Sequence, residues 1–176
     1  MRNILLTLPL IIFLLIIVIF FYFLYAKNDP KNLPSGLIDK KAPNFVSFSL
    51  IEENQIIYSE VNNKQPVIIN FFASWCIPCE VEIQYLSELS NYNEIKIIGI
   101  NYKDDPIKAR RWLKKVGNPY DIIAIDPAGE ISIDWGVYGI PETFVIDQKN
   151  IIKYRHTGPI TDKSYKKINL LINDLR

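Results

Sequence analysis

Asn70-Phe71-Phe72-Ala73-Ser74-Trp75-Cys76-Ile77-Pro78-Cys79-Glu80 is the stretch on which the reading of this 176-residue chain turns. An apolar β-type run, Val67 to Phe72, ends in a short polar break. A tryptophan and two cysteines three apart follow, and a helical pattern then begins. Cys-x-x-Cys at a strand-to-helix junction sets its first sulfur beside the free N–H groups of a helix N-terminus. A thiolate is favoured there by direct N–H donation and by roughly +0.5 of dipole charge. Cys76 is the expected nucleophile, on the exposed side of the turn. Cys79, deeper in the first turn, is the thiol that resolves a mixed disulfide. Ile77 and Pro78 set the geometry between them, and a proline in the first helical turn loses no hydrogen bond.

The competing readings are weaker. These two are the chain's only cysteines and His156 its only histidine, so neither a four-cysteine nor a two-cysteine, two-histidine zinc site can be completed. A zinc ion bridging two chains stays open. Covalent haem attachment would want His after the second cysteine, where Glu80 stands. A purely structural disulfide closing so short a loop would add little stability. His156 is expected in a structural or surface place near a hairpin end, because dithiol exchange needs no imidazole base.

Upstream of the motif, Ile4 to Tyr25 carries no charge and is flanked by Arg2 and Lys27. A helix of that length rises about 33 Å, enough for a hydrocarbon core of about 30 Å. Its bulky aromatic end, Tyr22-Phe23-Leu24-Tyr25-Ala26, does not look like a cleavage site. Residues 1–26 are therefore expected to be an uncleaved transmembrane anchor. Basic residues are nearly balanced across it, so the positive-inside bias does not orient it. Residues 27–42, with Pro30, Pro34 and Gly36, read as a linker. Residues 43–176 are left to form one domain on a core without a disulfide scaffold. A net charge of +1 and the absence of a basic, aromatic-interleaved stripe argue against nucleic acid.

Within that domain, Asn44 to Leu50 alternates, with Phe45, Phe48 and Leu50 expected inside. Ile56 to Tyr58 is a scrap of strand, and Val67 to Phe72 a central strand covered on both faces. The helix from Pro78 is expected to bury Val81, Tyr85, Leu86 and Leu89, with Glu82 facing elsewhere. Ile95 to Ile100 completes a right-handed βαβ unit. Asp105 to Val116 reads as a helix with Lys108, Arg110, Arg111, Lys114 and Lys115 on its wet face, stopped by Gly117-Asn118-Pro119. Then come a strand at Ile122 to Asp126, a helical turn at Ser132 to Trp135, and a hairpin of Thr143 to Ile146 with Ile151 to Tyr154. A last helix is capped by Thr161 and striped with Tyr165, Ile168, Leu171, Ile172 and Leu175.

Trp-Cys-x-x-Cys at the first turn of a βαβ unit, with a proline leading into a later hairpin, resembles the thioredoxin fold: an α/β domain of central mixed sheet and flanking helices. Asn101-Tyr102-Lys103-Asp104-Asp105, Trp112-Leu113, Gly117-Asn118-Pro119-Tyr120, Tyr154-Arg155-His156 with Gly158, and Gly136-Val137-Tyr138-Gly139-Ile140-Pro141-Glu142-Thr143-Phe144 narrow this. They look like the membrane-tethered thiol:disulfide interchange proteins of cytochrome c biogenesis, the DsbE/CcmG family. The likeness covers Ala42 to Gly158, and the N-terminal anchor fits it.

The resemblance implies a periplasmic domain on the bacterial inner membrane that keeps the haem-attachment thiols of apocytochrome c reduced, itself or with cytochrome c assembly factors. Electrons would come from a membrane thiol transporter of the DsbD/CcdA type. A monomer is expected, since the sequence shows no exposed heptad or self-complementary stripe, with no cofactor or metal beyond the Cys76–Cys79 disulfide. The resemblance also implies a cis Ile140–Pro141 bond facing the cysteines, with the Ile140 backbone offered to an extended client. Trp75 would shield one side of the sulfurs. Thioredoxins carry a buried Asp in the strand under the cysteines, and Asn70 holds that place here, so the proton-handling acid is to be sought elsewhere. Glu82 and Glu142 are the carboxylates to weigh. A nearby carboxylate disfavours a thiolate, whereas ordinary helix-dipole pairing is the plain reading of Glu80 and stands equally beside the tuning role for Glu82. A general periplasmic reductase of the ResA or TlpA type and an apocytochrome-binding chaperone are the rival functions.

Overall fold

The computed structural model describes residues 2–25, 36–52, 54–61, 65–91 and 95–175. The chain divides into two compact units, residues 1–33 and 34–176. The first holds helix α1 (Arg2–Tyr25), with Pro9 inside it. Apolar side chains along it from Leu8 to Phe23 are exposed apart from the half-buried Ile17, and Tyr25 is 85% exposed. Among the described residues no helix is long and apolar enough to cross a membrane. The expected linker at 27–42 lies outside the described residues up to residue 35.

The second unit is the thioredoxin-like domain. Its five-stranded sheet runs β5 (Ile122–Asp126), β4 (Lys96–Tyr102), β3 (Val67–Phe72), β6 (Glu142–Ile146), β7 (Ile152–Thr157). β3 pairs with β4 in parallel across α3 (Ile77–Ser90), as the βαβ reading requires, and with β6 antiparallel. α4 (Pro106–Val116) leads into β5, α5 (Glu130–Asp134) precedes β6, and α6 (Asp162–Asp174) closes the chain. β1 (Val46–Phe48) and β2 (Gln55–Ile57) form a separate hairpin followed by the short α2 (Tyr58–Val61).

Strand periodicity sorts the core into two layers. Ile68 and Phe72 of β3 join Leu86, Leu89, Leu113, Ile168 and Ile172 on one face. Val67, Ile69 and Phe71 join Tyr58, Trp135 and Phe144 on the other. Every residue of β3 is buried, which is why its apolar run lacks alternation. Each large side chain so covered contributes about 1.5–3 kcal/mol relative to exposure. Asn70 shares the face of Ile68 and Phe72, directly under α3. Gly99 of β4 faces that layer too: a Cβ there would lie 2.8 Å from Phe72 and 3.0 Å from Tyr120. Its absence lets those two rings stack with centroids 4.7 Å apart, and the stack carries the Tyr120 hydroxyl inward.

Three expectations need correction. Phe48 is 57% exposed, whereas Ser47 points inward and donates to the Ile125 carbonyl; the strand's alternation puts residues 46 and 48 outside, and of the three expected positions Phe45 and Leu50, beyond its ends, are buried. On α3 the buried stripe is Cys79, Glu82, Ile83, Leu86 and Leu89, so Val81 is exposed and Glu82 is inside. Polarity misled there, because the 3.6-residue period places position 82 with 79, 83 and 86. Arg110 is not on the wet face of α4: half-buried, it donates to the Leu50 carbonyl at 2.7 Å and ties α4 to the hairpin.

Candidate active site

Cys76 and Cys79 are joined, with Cα atoms 5.3 Å apart. Cys76 is the N-cap of α3, its backbone extended at φ −91° and ψ 100°. Its Sγ accepts from the Cys79 N–H at 3.3 Å. The junction therefore places a first-turn helical N–H at the first sulfur: the Cys79 N–H is shared between Cys76 Sγ and the Cys76 carbonyl, 3.1 Å away, and a donor so placed favours a thiolate once the bond opens. Cys76 is less exposed than expected, at 4% against 1% for Cys79. Its neighbours Trp75 and Ile77 stand out instead, at 57% and 82%. Trp75 is fixed by its indole N–H, which donates to the Lys103 carbonyl at 3.2 Å, and its ring leans on Tyr102.

Behind the cysteines lies a buried polar chain. Glu82, one helical turn after Cys79 and fully buried, accepts from the Asn70 amide at 2.7 Å and from the Ile160 N–H at 2.9 Å. Asn70 also donates to the Thr143 hydroxyl at 3.1 Å and accepts from the Tyr120 hydroxyl at 2.8 Å. Burial pushes the Glu82 carboxyl up to about 7 against the pull of its two hydrogen bonds. Burial, with the Glu82 charge beside it, holds the Tyr120 phenol well above its usual range. The acid missing from the strand thus sits on the helix, and Asn70 serves as its hydrogen-bond partner.

The loop that carries Pro141 is built on Glu142 and on Arg155, a residue the sequence reading did not single out. The Ile140–Pro141 bond is cis. Pro141 is buried, Ile140 half-buried, and the Pro141 carbonyl accepts from the Gly158 N–H at 2.9 Å. Glu142 on β6 and Arg155 on β7 are diagonal neighbours, Glu142 opposing Thr157 and Arg155 opposing Phe144, and they form a buried two-pronged ion pair with contacts of 2.7 to 3.0 Å. Glu142 also accepts from the Tyr138 N–H, and Arg155 donates to the Gly136 carbonyl at 2.9 Å and lies under the Tyr138 ring. Desolvation raises the Glu142 carboxyl against the attraction of Arg155. The pair staples residues 136–142 to β7, so Glu142 positions the proline loop from behind it. Cation–sheet contacts of this kind leave no local sequence signal beyond an acid and an arginine on adjacent strands.

Elsewhere, His156 is half-buried on β7 with Nε2 3.1 Å from the Pro159 carbonyl and its ring stacked on Tyr154. That is the structural place expected of it. Glu80 is exposed and lies 3.7 Å from Lys115. Among the described residues no group of three or more His, Cys, Asp or Glu is placed to hold a metal ion.

Comparison with known proteins follows the same lines. The Redoxin family model matches residues 38–169. The thiol:disulfide interchange protein DsbE of Escherichia coli K12 is 43% identical over 172 residues, covering 95% of this chain and 92% of that protein. This chain belongs to the DsbE family of thiol:disulfide interchange proteins. DsbE of Vibrio cholerae is 39% identical over 170 residues, with 95% and 92% covered. Among solved structures, a secreted thiol-disulfide isomerase from Corynebacterium glutamicum superposes with a TM-score of 0.65 at 26% identity, covering 76% of this chain and 85% of that one. A secreted Mycobacterium tuberculosis disulfide oxidoreductase gives 0.64 at 18% identity, with 74% and 96% covered. The DsbE-family chain is a thiol:disulfide oxidoreductase of thioredoxin-like fold, and Cys76 and Cys79 form a disulfide in it.

Proposed function

We propose that this protein is a membrane-tethered periplasmic reductant that keeps the haem-attachment cysteines of apocytochrome c, or of a partner assembly factor, in the dithiol state. The observation that carries the reading is Glu82, a buried carboxylate one helical turn behind the resolving cysteine. A negative charge there disfavours a thiolate and tilts the pair toward its disulfide, which is the direction a donor of electrons needs. In the forward reaction the Cys76 thiolate attacks the client disulfide and a client thiolate leaves. Cys79 then gives its proton to Glu82 and attacks the Cys76 sulfur, releasing the second client thiolate. The client gains two electrons and the Cys76–Cys79 bond forms. A dithiol of the DsbD/CcdA transporter type reverses that bond.

The exposed Trp75 and Ile77, with the Ile140 backbone before the cis bond, form the ledge for an extended client segment. The apolar helix α1, uncharged from Ile4 to Tyr25, serves as the anchor, and the domain acts as a monomer on the periplasmic side. An oxidising compartment supplies the need for such a reductant.

The test is a Cys79→Ser chain expressed with a c-type apocytochrome. The reading expects a mixed disulfide between Cys76 and a haem-attachment cysteine, dissolved by dithiothreitol. Trapping of unrelated disulfide proteins in equal amount would favour the ResA/TlpA type of reductase. Association that survives loss of both thiols would favour a chaperone. Protease added to intact spheroplasts should digest the domain; protection would overturn the placement.

A further inference from the structure

The segment Asn101-Tyr102-Lys103-Asp104-Asp105 contains a carboxylate to which the exchange chemistry above assigns no task. Asp104 accepts four hydrogen bonds: from the Ser74 N–H, from the Ser74 hydroxyl at 2.8 Å, from the buried Asn101 amide at 3.0 Å, and from the Asp105 N–H at 2.8 Å. Ser74 stands two residues before Cys76. The next residue, Trp75, is bonded to the carbonyl of Lys103, whose φ of 44° is left-handed. The turn leading into the nucleophile is therefore fastened to the end of β4 at two successive residues. Its own internal link is the single Cys76 N–H to Ala73 carbonyl bond at 3.2 Å.

We propose that Asp104 is a positioning residue for thiol–disulfide exchange: it straps residues 73–76 to β4 so that Cys76 stays at the N-cap of α3 while its sulfur changes partners. In the oxidised chain the Cys76–Cys79 bond itself fixes the cap. When that bond opens, the covalent link is gone, and the strap through Ser74 and Trp75 remains to keep Cys76 Sγ within reach of the Cys79 N–H. A carboxylate suits the task because it is acceptor-only, with two oxygens and about four lone-pair sites, and four donors converge on it here. An asparagine in its place would retain most of the geometry. Its oxygen would take the Ser74 N–H and the Asn101 amide, and its NH2 would face the Ser74 hydroxyl, which can accept as well as donate. Only the Asp105 N–H, which is exposed, would turn to water. The strap and the charge can thus be separated.

The experiment uses the full chain in non-ionic detergent, in a Cys79→Ala background so that Cys76 is the single thiol. Two readouts are taken: hydrogen exchange of the Trp75 indole N–H and the pH profile of Cys76 alkylation by iodoacetamide. Asp104→Ala is expected to speed indole exchange by about tenfold or more, the loss of one charge-assisted hydrogen bond's worth of protection. It should also raise the Cys76 pKa, slowing alkylation at pH 7. Asp104→Asn should keep indole exchange within about twofold of the parent and, because it removes a like charge, should not slow alkylation. Ser74→Ala, a milder cut that keeps the N–H link and the fold, should move both readouts in the direction of Asp104→Ala by less. Asp105→Ala, which removes only the N-cap of α4, should move neither. Parent-like values for Asp104→Ala, faster alkylation in it, or an Asp104→Asn as impaired as Asp104→Ala would each overturn the proposal. If Asp104→Ala fails to fold, Ser74→Ala with unchanged indole exchange overturns it as well.

Discussion

Glu82 gives the sharpest test of the site, because its burial has a consequence for stability whose sign is fixed. Its carboxyl is raised from 4.5 to about 7 in the folded chain by desolvation. Between those values the folded protein binds a proton that the unfolded chain has released. Stability contributed through this group is therefore highest below about pH 4.5 and falls as pH rises to about 7, after which it levels. A shift of about 2.5 units at 1.36 kcal/mol each is about 3 kcal/mol in all, and roughly 2 to 3 kcal/mol of it falls between pH 5 and pH 8. Glu82→Gln removes the titration and keeps the shape. Its oxygen can take the Ile160 N–H, and its NH2 can face Asn70 once that amide turns over. Guanidinium unfolding of the oxidised full chain and the Gln variant, run side by side from pH 4.5 to 8.5, isolates the Glu82 contribution. The wild type should lose roughly 2 to 3 kcal/mol relative to the variant from pH 5 to pH 8. Parallel curves, or a wild type that gains on the variant as pH rises, would refute the assignment of Glu82 as a buried acid titrating near neutrality.

The same Glu82→Gln change, in the reduced chain, should lower the Cys76 pKa in a series of alkylation rates against pH, by removing a like charge; an unchanged or higher value would count against a tuning role. Tyr120→Phe strips the donor from Asn70 Oδ1 and leaves a buried acceptor unpaired, so denaturation at pH 5 should show a loss of about 1–3 kcal/mol. Arg155→Ala leaves Glu142 as an unpaired buried charge and should cost about 3–5 kcal/mol, read by denaturant midpoint. Because that change also frees residues 136–142, client exchange in the surviving folded fraction should slow. Gly99→Ala pushes a methyl between Phe72 and Tyr120 and should cost about 1–3 kcal/mol.

What could be read in the chain beforehand follows the range of the interactions involved. The βαβ unit, the redox turn, the stop at Gly117 and the helix begun at Thr161 are local: periodicity, a cap or a Cys-x-x-Cys declares each within a few residues. Pro141 was picked out through its likeness to a family, since X-Pro statistics alone do not place a cis bond. Glu82 was named, yet was turned to solvent by its polarity. Its burial is settled by three groups that sequence separation hides, the amide of Asn70, the N–H of Ile160 and, through Asn70, the phenol of Tyr120. Arg155 and Asp104 were passed over for the same reason. Their partners lie on other strands or in the preceding turn, 13 and 30 residues away. A charged residue in a list gives no sign of whether it meets water or a buried counter-group.

That hidden network bears on how one dithiol can run in both directions. Cys79 has to lose a proton to close the disulfide and regain it when the disulfide is opened by a donor. Water is a poor partner for either step at a sulfur that is 1% exposed. In the exchange proposed above, a carboxyl that burial raises to about 7, one helical turn away, can accept or return that proton near neutral pH. A buried carboxyl left with its ordinary pKa would be loaded too rarely to return one. Two hydrogen bonds hold Glu82 below the value that burial alone would impose, and both come from groups fixed elsewhere in the fold, one on β3 and one at the entry to α6. The poise of the acid is thus set by the sheet and the last helix together, and a change in either element should be felt at the cysteines without touching a sulfur.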